Sequence, residues 1–434
     1  MVSSFYTLSI HKKLRHRLNP LIQIPVALRY VVITCCVLLL SACGRSEFTE
    51  REKAVLQSLS IDKLAMPSAE SNQYAFNDQA RQLGEALFHE KQLSGDNQFS
   101  CASCHLPDKF FTDGLPTGVA AGTTTRNTPA LHGVAWFTWF YWDGRRDSLW
   151  SQALTPIEAA NEMNSDRIAV TQLIANTQSY RQQYESIFGK LPFNGNEKVF
   201  SISAAPTRDK EQRQRWAELP ENTKHKINTV FANIGKALAA YQYTLQPLKT
   251  RFDLFIDEVR TGKKINQIKT LDKNELKGAL LFLNEKKTQC IECHNGPLLT
   301  NDEFHNIATG NITGPVFDFG REYGLQSALL DEFNCQGRYS DADPDDCLHF
   351  IYLSRDALHM RGAFRTPSLR NISNTGPYFH DGRFDTLEEV VRFYANPPAL
   401  ERAHEHELRP GFELEEDEII SLSRFLETFE AVQQ

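Results

Sequence analysis

Apolar residues recur at spacings of three and four through Glu221–Gln246, Asp272–Glu285, Thr386–Tyr394 and Glu416–Val432. That period puts one apolar stripe on each segment and predicts four amphipathic helices. Between them the pattern predicts long loops rather than sheet. One apolar run differs. Val31–Leu40 is continuous, follows a stretch holding Lys12, Lys13, Arg15, Arg17 and Arg29 with no acid, and ends at Ser41-Ala42-Cys43-Gly44. It is too short to span a bilayer comfortably. A basic segment, a short apolar core and small residues predict a secretory signal peptide over 1–42.

The end of that segment resembles a bacterial lipobox, which implies that Cys43 becomes the first residue and carries lipid. Gly44 in place of an Asp favours the outer membrane. The expected location is therefore the periplasmic face of a Gram-negative membrane, lipid-anchored. Loss of the five basic leader residues takes the net charge from −7 to −12. An acidic surface argues against nucleic acid and suits a basic soluble partner. The mature length suggests two domains, 43–248 and 249–434.

Cys101-Ala102-Ser103-Cys104-His105 and Cys290-Ile291-Glu292-Cys293-His294 are both C-x-x-C-H. This spacing suits covalent c-type haem attachment, with two thiols for the vinyl groups and a His for the iron. A redox dithiol or half a zinc site needs no following His. Cys335 and Cys347 remain in an exported chain, and a disulfide is their simplest pairing. It would close the acidic loop Ser340–Asp346.

The two motifs sit in a longer repeat. Gly84-Glu85-Ala86-Leu87-Phe88 precedes the first, and Gly278-Ala279-Leu280-Leu281-Phe282 precedes the second. Thr128-Pro129 pairs with Thr366-Pro367, and fourteen residues after each Pro comes Asp-Gly-Arg, at Asp143 and Asp381. Matching offsets predict two copies of one unit. The expected fold is all-α, two cytochrome c-like haem domains with long loops. Twenty-seven residues past the repeat Pro stand Pro156 in the first copy and Tyr394 in the second. Proline offers no side-chain donor, whereas tyrosinate is a haem ligand. The repeat thus predicts unequal irons. The first is open with His105 alone, and the second is closed by His294 and Tyr394. Met360 is the main rival ligand, with His359 beside it.

Gly84–His105, Arg126–Met163 and Arg365–Tyr394 resemble the bacterial di-haem cytochrome c peroxidases and MauG-type enzymes. The segments Gly195–Lys226 and around Cys335–Cys347 fit less well and look like insertions. The resemblance implies Gln152 and Glu162 as distal polar residues, Pro156 above the first iron, and Trp142 as a relay between haems. Glu158 is a nearby alternative acid. It also implies one calcium ion held by Asn127, Thr375 and Pro377. A Tyr at position 394 follows the MauG pattern rather than the Met of the peroxidases. The distal His of many peroxidases would fall at Val119, and Gly118–Thr125 contains no His. His380 reads as a structural hydrogen-bonding group, and His404 and His406 as solvated.

Three functions follow. The first is a peroxidase that reduces hydrogen peroxide at the His105 haem. Its electrons enter by the His294 haem from a small cytochrome c or cupredoxin. The second is MauG-like oxidation of residues in a partner protein. The third is a di-haem electron carrier, which needs strong second ligands on both irons.

Overall fold

The computed structural model describes residues 46–310, 317–353, 360–397 and 412–432. The leader, Cys43, His359, His404 and His406 lie outside the described residues. From Thr49 onward the chain folds as one unit.

Capping fixes where the helices begin. The Asp272 carboxylate accepts from the Glu275 N–H at 2.8 Å, and the Glu275 carboxylate accepts from the Asp272 N–H at 2.8 Å. This capping box starts the helix at Lys273, and it runs to Phe282. Thr386 and Glu389 start Leu387–Ala395 in the same way. The predicted C-terminal ends are too long. Glu221 opens a helix that stops at Gln242, where the chain tightens and the Thr244 and Leu245 N–H groups donate to the carbonyls of Tyr241 and Gln242. The last helix covers Glu416–Glu427. Beyond it the carbonyls of Thr428, Phe429 and Glu430 accept from the N–H groups of Phe252, Asn371 and Arg251.

Two sets of helices carry the motifs. Asp78–Phe88 and Leu149–Glu158 pack on Glu221–Gln242, and Lys273–Phe282 and Leu387–Ala395 pack on Glu416–Glu427. The repeat glycines are the points of closest approach. A Cβ on Gly84 would lie 1.9 Å from the Ala237 carbonyl oxygen, and one on Gly278 would lie 2.1 Å from that of Ser421. The core around the first motif holds Phe88, Trp150, Leu154 and Phe231. Around the second, Phe252, Phe282, Phe425 and Phe429 interlock at ring separations of 4.8 to 5.9 Å.

The fold is mostly helical rather than all-α. Phe304–His305 pairs antiparallel with Phe364–Arg365, His305 opposite Phe364. Cys335 and Cys347 are joined as a disulfide across 12 residues. The segment after Gly195 forms a short 3-10 turn, Lys198–Ser201, and a helix, Lys210–Glu218.

Candidate haem-binding and peroxide site

Cys101–Cys104 and Cys290–Cys293 each form a single helical turn, with the motif His immediately after. Residues three apart on a turn share a face, so both thiols of each motif point the same way. His105 sets its Nδ1 2.8 Å from the Phe111 carbonyl oxygen, and His294 sets its Nδ1 3.1 Å from that of Leu299. The carbonyl makes Nδ1 the protonated nitrogen and leaves Nε2 free as a base for a metal. Burial lowers the pKa of both imidazoles, that of His294 to about 4, so each is neutral at pH 7. Burial also pushes Cys101 up to about 12 and Cys290 up to about 11, which holds them as thiols. Two thiols and one neutral imidazole per site is the donor set that covalent haem requires, and in this respect the residues fit.

Cys101, Cys104, His105, Gln152, Pro156 and Glu162 line one cavity of about 70 Å³. Cys290, Cys293, His294, Trp142 and Tyr394 line another, of about 450 Å³. The larger lies within the usual range for a sizeable ligand, and the smaller lies below it.

Pro156 lies inside the Leu149–Glu158 helix. It has no N–H to give the Gln152 carbonyl one turn earlier. That carbonyl receives the Tyr141 hydroxyl instead, at 3.4 Å. Glu162 follows the helix and is held by the Ala121 N–H, which donates to its carbonyl at 3.0 Å. Burial raises the Glu162 pKa, and the Arg145 charge opposes the rise. Glu158 does not line the cavity. Arg167 grips both its oxygens at 2.8 Å, in a buried bidentate pair. Val119 is 56% exposed, while its neighbour Ala120 lines the cavity.

On the other side, Tyr394 shares a cavity with Cys290, Cys293 and His294, and Met360 is not among its lining residues. Burial, then the neighbouring sulfurs of Cys290 and Cys293, raises the pKa of Tyr394. A ferric ion opposite would reverse that preference, because its charge favours the phenolate. Asn127, Thr375 and Pro377 all reach the wall of this cavity. The Trp142 indole N–H donates to the Asn127 carbonyl at 3.0 Å. His380 is buried, stacks on Phe364 at 3.7 Å, and has its pKa lowered to about 4 by burial.

An ion chain runs between the cavities. Arg126 meets Asp143 at 2.6 Å and Asp318 at 2.8 Å, and Asp143 meets Arg145 at 3.1 Å. Sequence reasoning used Asp143 only as a repeat marker. Asp318, the other carboxylate on Arg126, lies 192 residues from it, with no local signal to connect them.

Two partly buried C-x-x-C-H turns, each on the wall of a cavity, present the donor set for two c-type haems. Residues 78–261 match the family model described as di-haem cytochrome c peroxidase. The chain is 29% identical to methylamine utilization protein MauG of Methylorubrum extorquens, over 93% of its own length and 91% of the relative's. It is 27% identical to cytochrome-c peroxidase IdrP1 of Pseudomonas sp. (strain SCT), over 72% and 70%. The crystal structure of the dihaem peroxidase BthA from Burkholderia thailandensis shares the fold, with a TM-score of 0.57. It is 21% identical over 81% of this chain and 86% of that one. The chain is thus similar to di-haem cytochrome c peroxidases and MauG proteins, the family model covering residues 78–261. That similarity implies two haem c groups.

Proposed function

We propose that this protein is a periplasmic peroxidase that reduces hydrogen peroxide at the site built on His105. The observation that carries this reading is the joining of Glu162, Gln152 and Pro156 to Cys101, Cys104 and His105 around one cavity. Haem held there by Cys101, Cys104 and His105 would supply the redox chemistry of its iron. The chain supplies the rest. Pro156 presents no donor, so the position beyond His105 stays open. Gln152 orients peroxide by hydrogen bonds from its amide. Glu162, as carboxylate, takes the proton from the nearer oxygen and returns it to the farther one as that bond breaks. The Arg145 charge opposes the rise in the Glu162 pKa and so favours the carboxylate. Glu162→Gln tests this: peroxide turnover falls about 10²–10⁴-fold with both haems still attached. Unchanged turnover removes Glu162 from the chemistry.

At the second site His294 and Tyr394 are the proposed iron ligands, supported by their shared cavity and by the absence of Met360 from its lining. Trp142 is the proposed electron relay, donor electrons entering from a small cytochrome c or cupredoxin. The proposed division into haem domains, 43–248 and 249–434, rests on the repeat. Its glycines make the same close approach in each half, and the Asp-Gly-Arg glycines adopt φ of +64° and +63°. The proposed calcium ion would use Asn127, Thr375 and Pro377. The proposed anchor is lipid on Cys43, at the outer membrane. Among the described residues no helix is long and apolar enough to cross a membrane.

A second reading is MauG-like oxidation of a partner protein. Tyr394 favours it, as an anionic ligand that stabilises oxidised iron, and so does a Gly118–Thr125 segment without His. An electron carrier is disfavoured by Pro156.

A further inference from the structure

The run Trp136–Trp142 holds six aromatic residues, three of them tryptophans, and three of its rings carry a guanidinium. Arg145 stands 3.4 Å from the centroid of Tyr141, Arg321 3.9 Å from that of Trp139, and Arg365 4.1 Å from that of Phe137. Among the described residues no arginine or lysine stands over Trp142. Its indole N–H is held by a neutral carbonyl.

Arg321 is the most telling of the three. It is 1% exposed, and Phe304 closes its other face at 4.1 Å. Its Nη1 donates to the carbonyls of Asp143 and Gly144, and its Nε meets no acceptor. Burying a guanidinium among rings and carbonyls is costly for stability alone. Arg365 has Asp302 at 3.1 Å, yet its Nε is also buried without an acceptor.

A cation over an aromatic face stabilises the neutral ring and opposes removal of an electron from it, because oxidation leaves a second positive charge at the same place. We infer that Arg321 and Arg145 are positioning residues that confine an oxidising equivalent to Trp142 by making Trp139 and Tyr141 harder to oxidise. This rests on the peroxidase reading above. Hydrogen peroxide takes two electrons and two protons to give two waters. One electron at a time leaves the Trp142 ring for the oxidised haem site, and one from the donor or substrate refills it. The Asn127 carbonyl is too weak a base to take the indole proton, so the ring cycles with that proton in place. Without the cap, Trp139 opens an outward route. Its ring meets Phe350 at 5.6 Å, and Tyr352, two residues on, is 82% exposed.

The test uses the holoprotein and the variants Arg321→Gln and Arg321→Lys. Each is treated with peroxide without reductant, and the oxygenation of each Trp and Tyr is read by peptide mass spectrometry, with radical EPR on frozen samples. Arg321→Gln raises Trp139 oxygenation about tenfold, a small part of the Coulomb term at this distance. Arg321→Lys, which keeps the charge, restores the wild-type pattern. Equal Trp139 oxygenation in Arg321→Gln and wild type overturns the inference. A photogenerated ruthenium tris-bipyridine oxidant repeats the comparison without the peroxide site. If peroxide does nothing to any form but the photo-oxidant reveals the Trp139 difference, the peroxidase reading fails and the confinement stands. If Arg321→Gln does not fold, Arg145→Gln makes the parallel test with the photogenerated oxidant, which does not depend on Glu162, with new oxidation at Tyr141 expected and its absence contradictory.

Discussion

Pro156 and Tyr394 stand at the same place in two helices, each seven residues after the first helical residue, and each lines the cavity of its own C-x-x-C-H motif. One offers no donor atom, and the other offers a phenol. Two copies of one arrangement are thereby made chemically unequal by a single side chain. On the proposed assignment the first site stays open to a small oxidant, and the second, closed by Tyr394, exchanges electrons without substrate access.

Tyr394→Phe removes the proposed ligand and keeps the ring. The absorption and EPR spectra of the second haem are expected to change to those of a site with one protein ligand. Its reduction potential is expected to rise, because an anionic donor is lost. An unchanged second-haem spectrum contradicts tyrosinate ligation.

The pH dependence of peroxide reduction follows from Glu162. Burial raises its pKa, and the carboxylate form is the one that accepts the first proton. Activity therefore rises with pH through a limb displaced above the ordinary glutamate range. Arg145 opposes the shift, so Arg145→Gln moves that limb to higher pH. A pH–rate profile in which the limb stays put or moves down disproves this role for Arg145.

The C-x-x-C-H turns were legible because they are local: two thiols three apart, a His next in line, and fixed offsets to Pro and to Asp-Gly-Arg. The Pro156 and Tyr394 positions were legible by counting. Helix ends were not, because Thr428 to Glu430 leave the helix to serve N–H groups far away in sequence. The short strand pair escaped notice because two residues cannot display a period. Arg126, Asp318 and Arg321 were invisible as site residues for a similar reason. Their partners lie 177 to 192 residues away, and a lone charge gives no hint of what it will meet.

Gly84→Ala and Gly278→Ala drive a methyl into the carbonyls of Ala237 and Ser421. Each is expected to cost about 1–3 kcal/mol, since packed helices yield little. Urea unfolding of the holoprotein checks this. A change within error at either position shows that the helices can separate there freely.

Arg370 and Asp253 form a buried pair at 2.8 Å, with side chains 2% and 1% exposed. Burial would raise the Asp253 pKa, but the hydrogen bonds and charge of Arg370 outweigh it and hold it below the ordinary range. A depressed carboxylate adds stability above its unfolded pKa and loses it as pH falls through the folded value. Arg370→Met is expected to cost about 3–5 kcal/mol at pH 7, because it strands a buried charge. The deficit should narrow in acid, where Asp253 is protonated in both forms. Unfolding curves at pH 7 and in acid give the comparison, and a deficit that widens in acid contradicts the assignment.

The account turns on a proposed first site that is open opposite His105 and meets peroxide without prior reduction; a tyrosinate at the second site would let that haem share the oxidising equivalents, as the MauG-like reading requires. Its most direct test is to add hydrogen peroxide to the fully ferric holoprotein, without reductant, and follow EPR and absorption into the near infrared. Rapid loss of the ferric signals of both haems is the predicted result. No reaction until one haem has been reduced would contradict it, and would mean that a ligand blocks the first iron opposite His105.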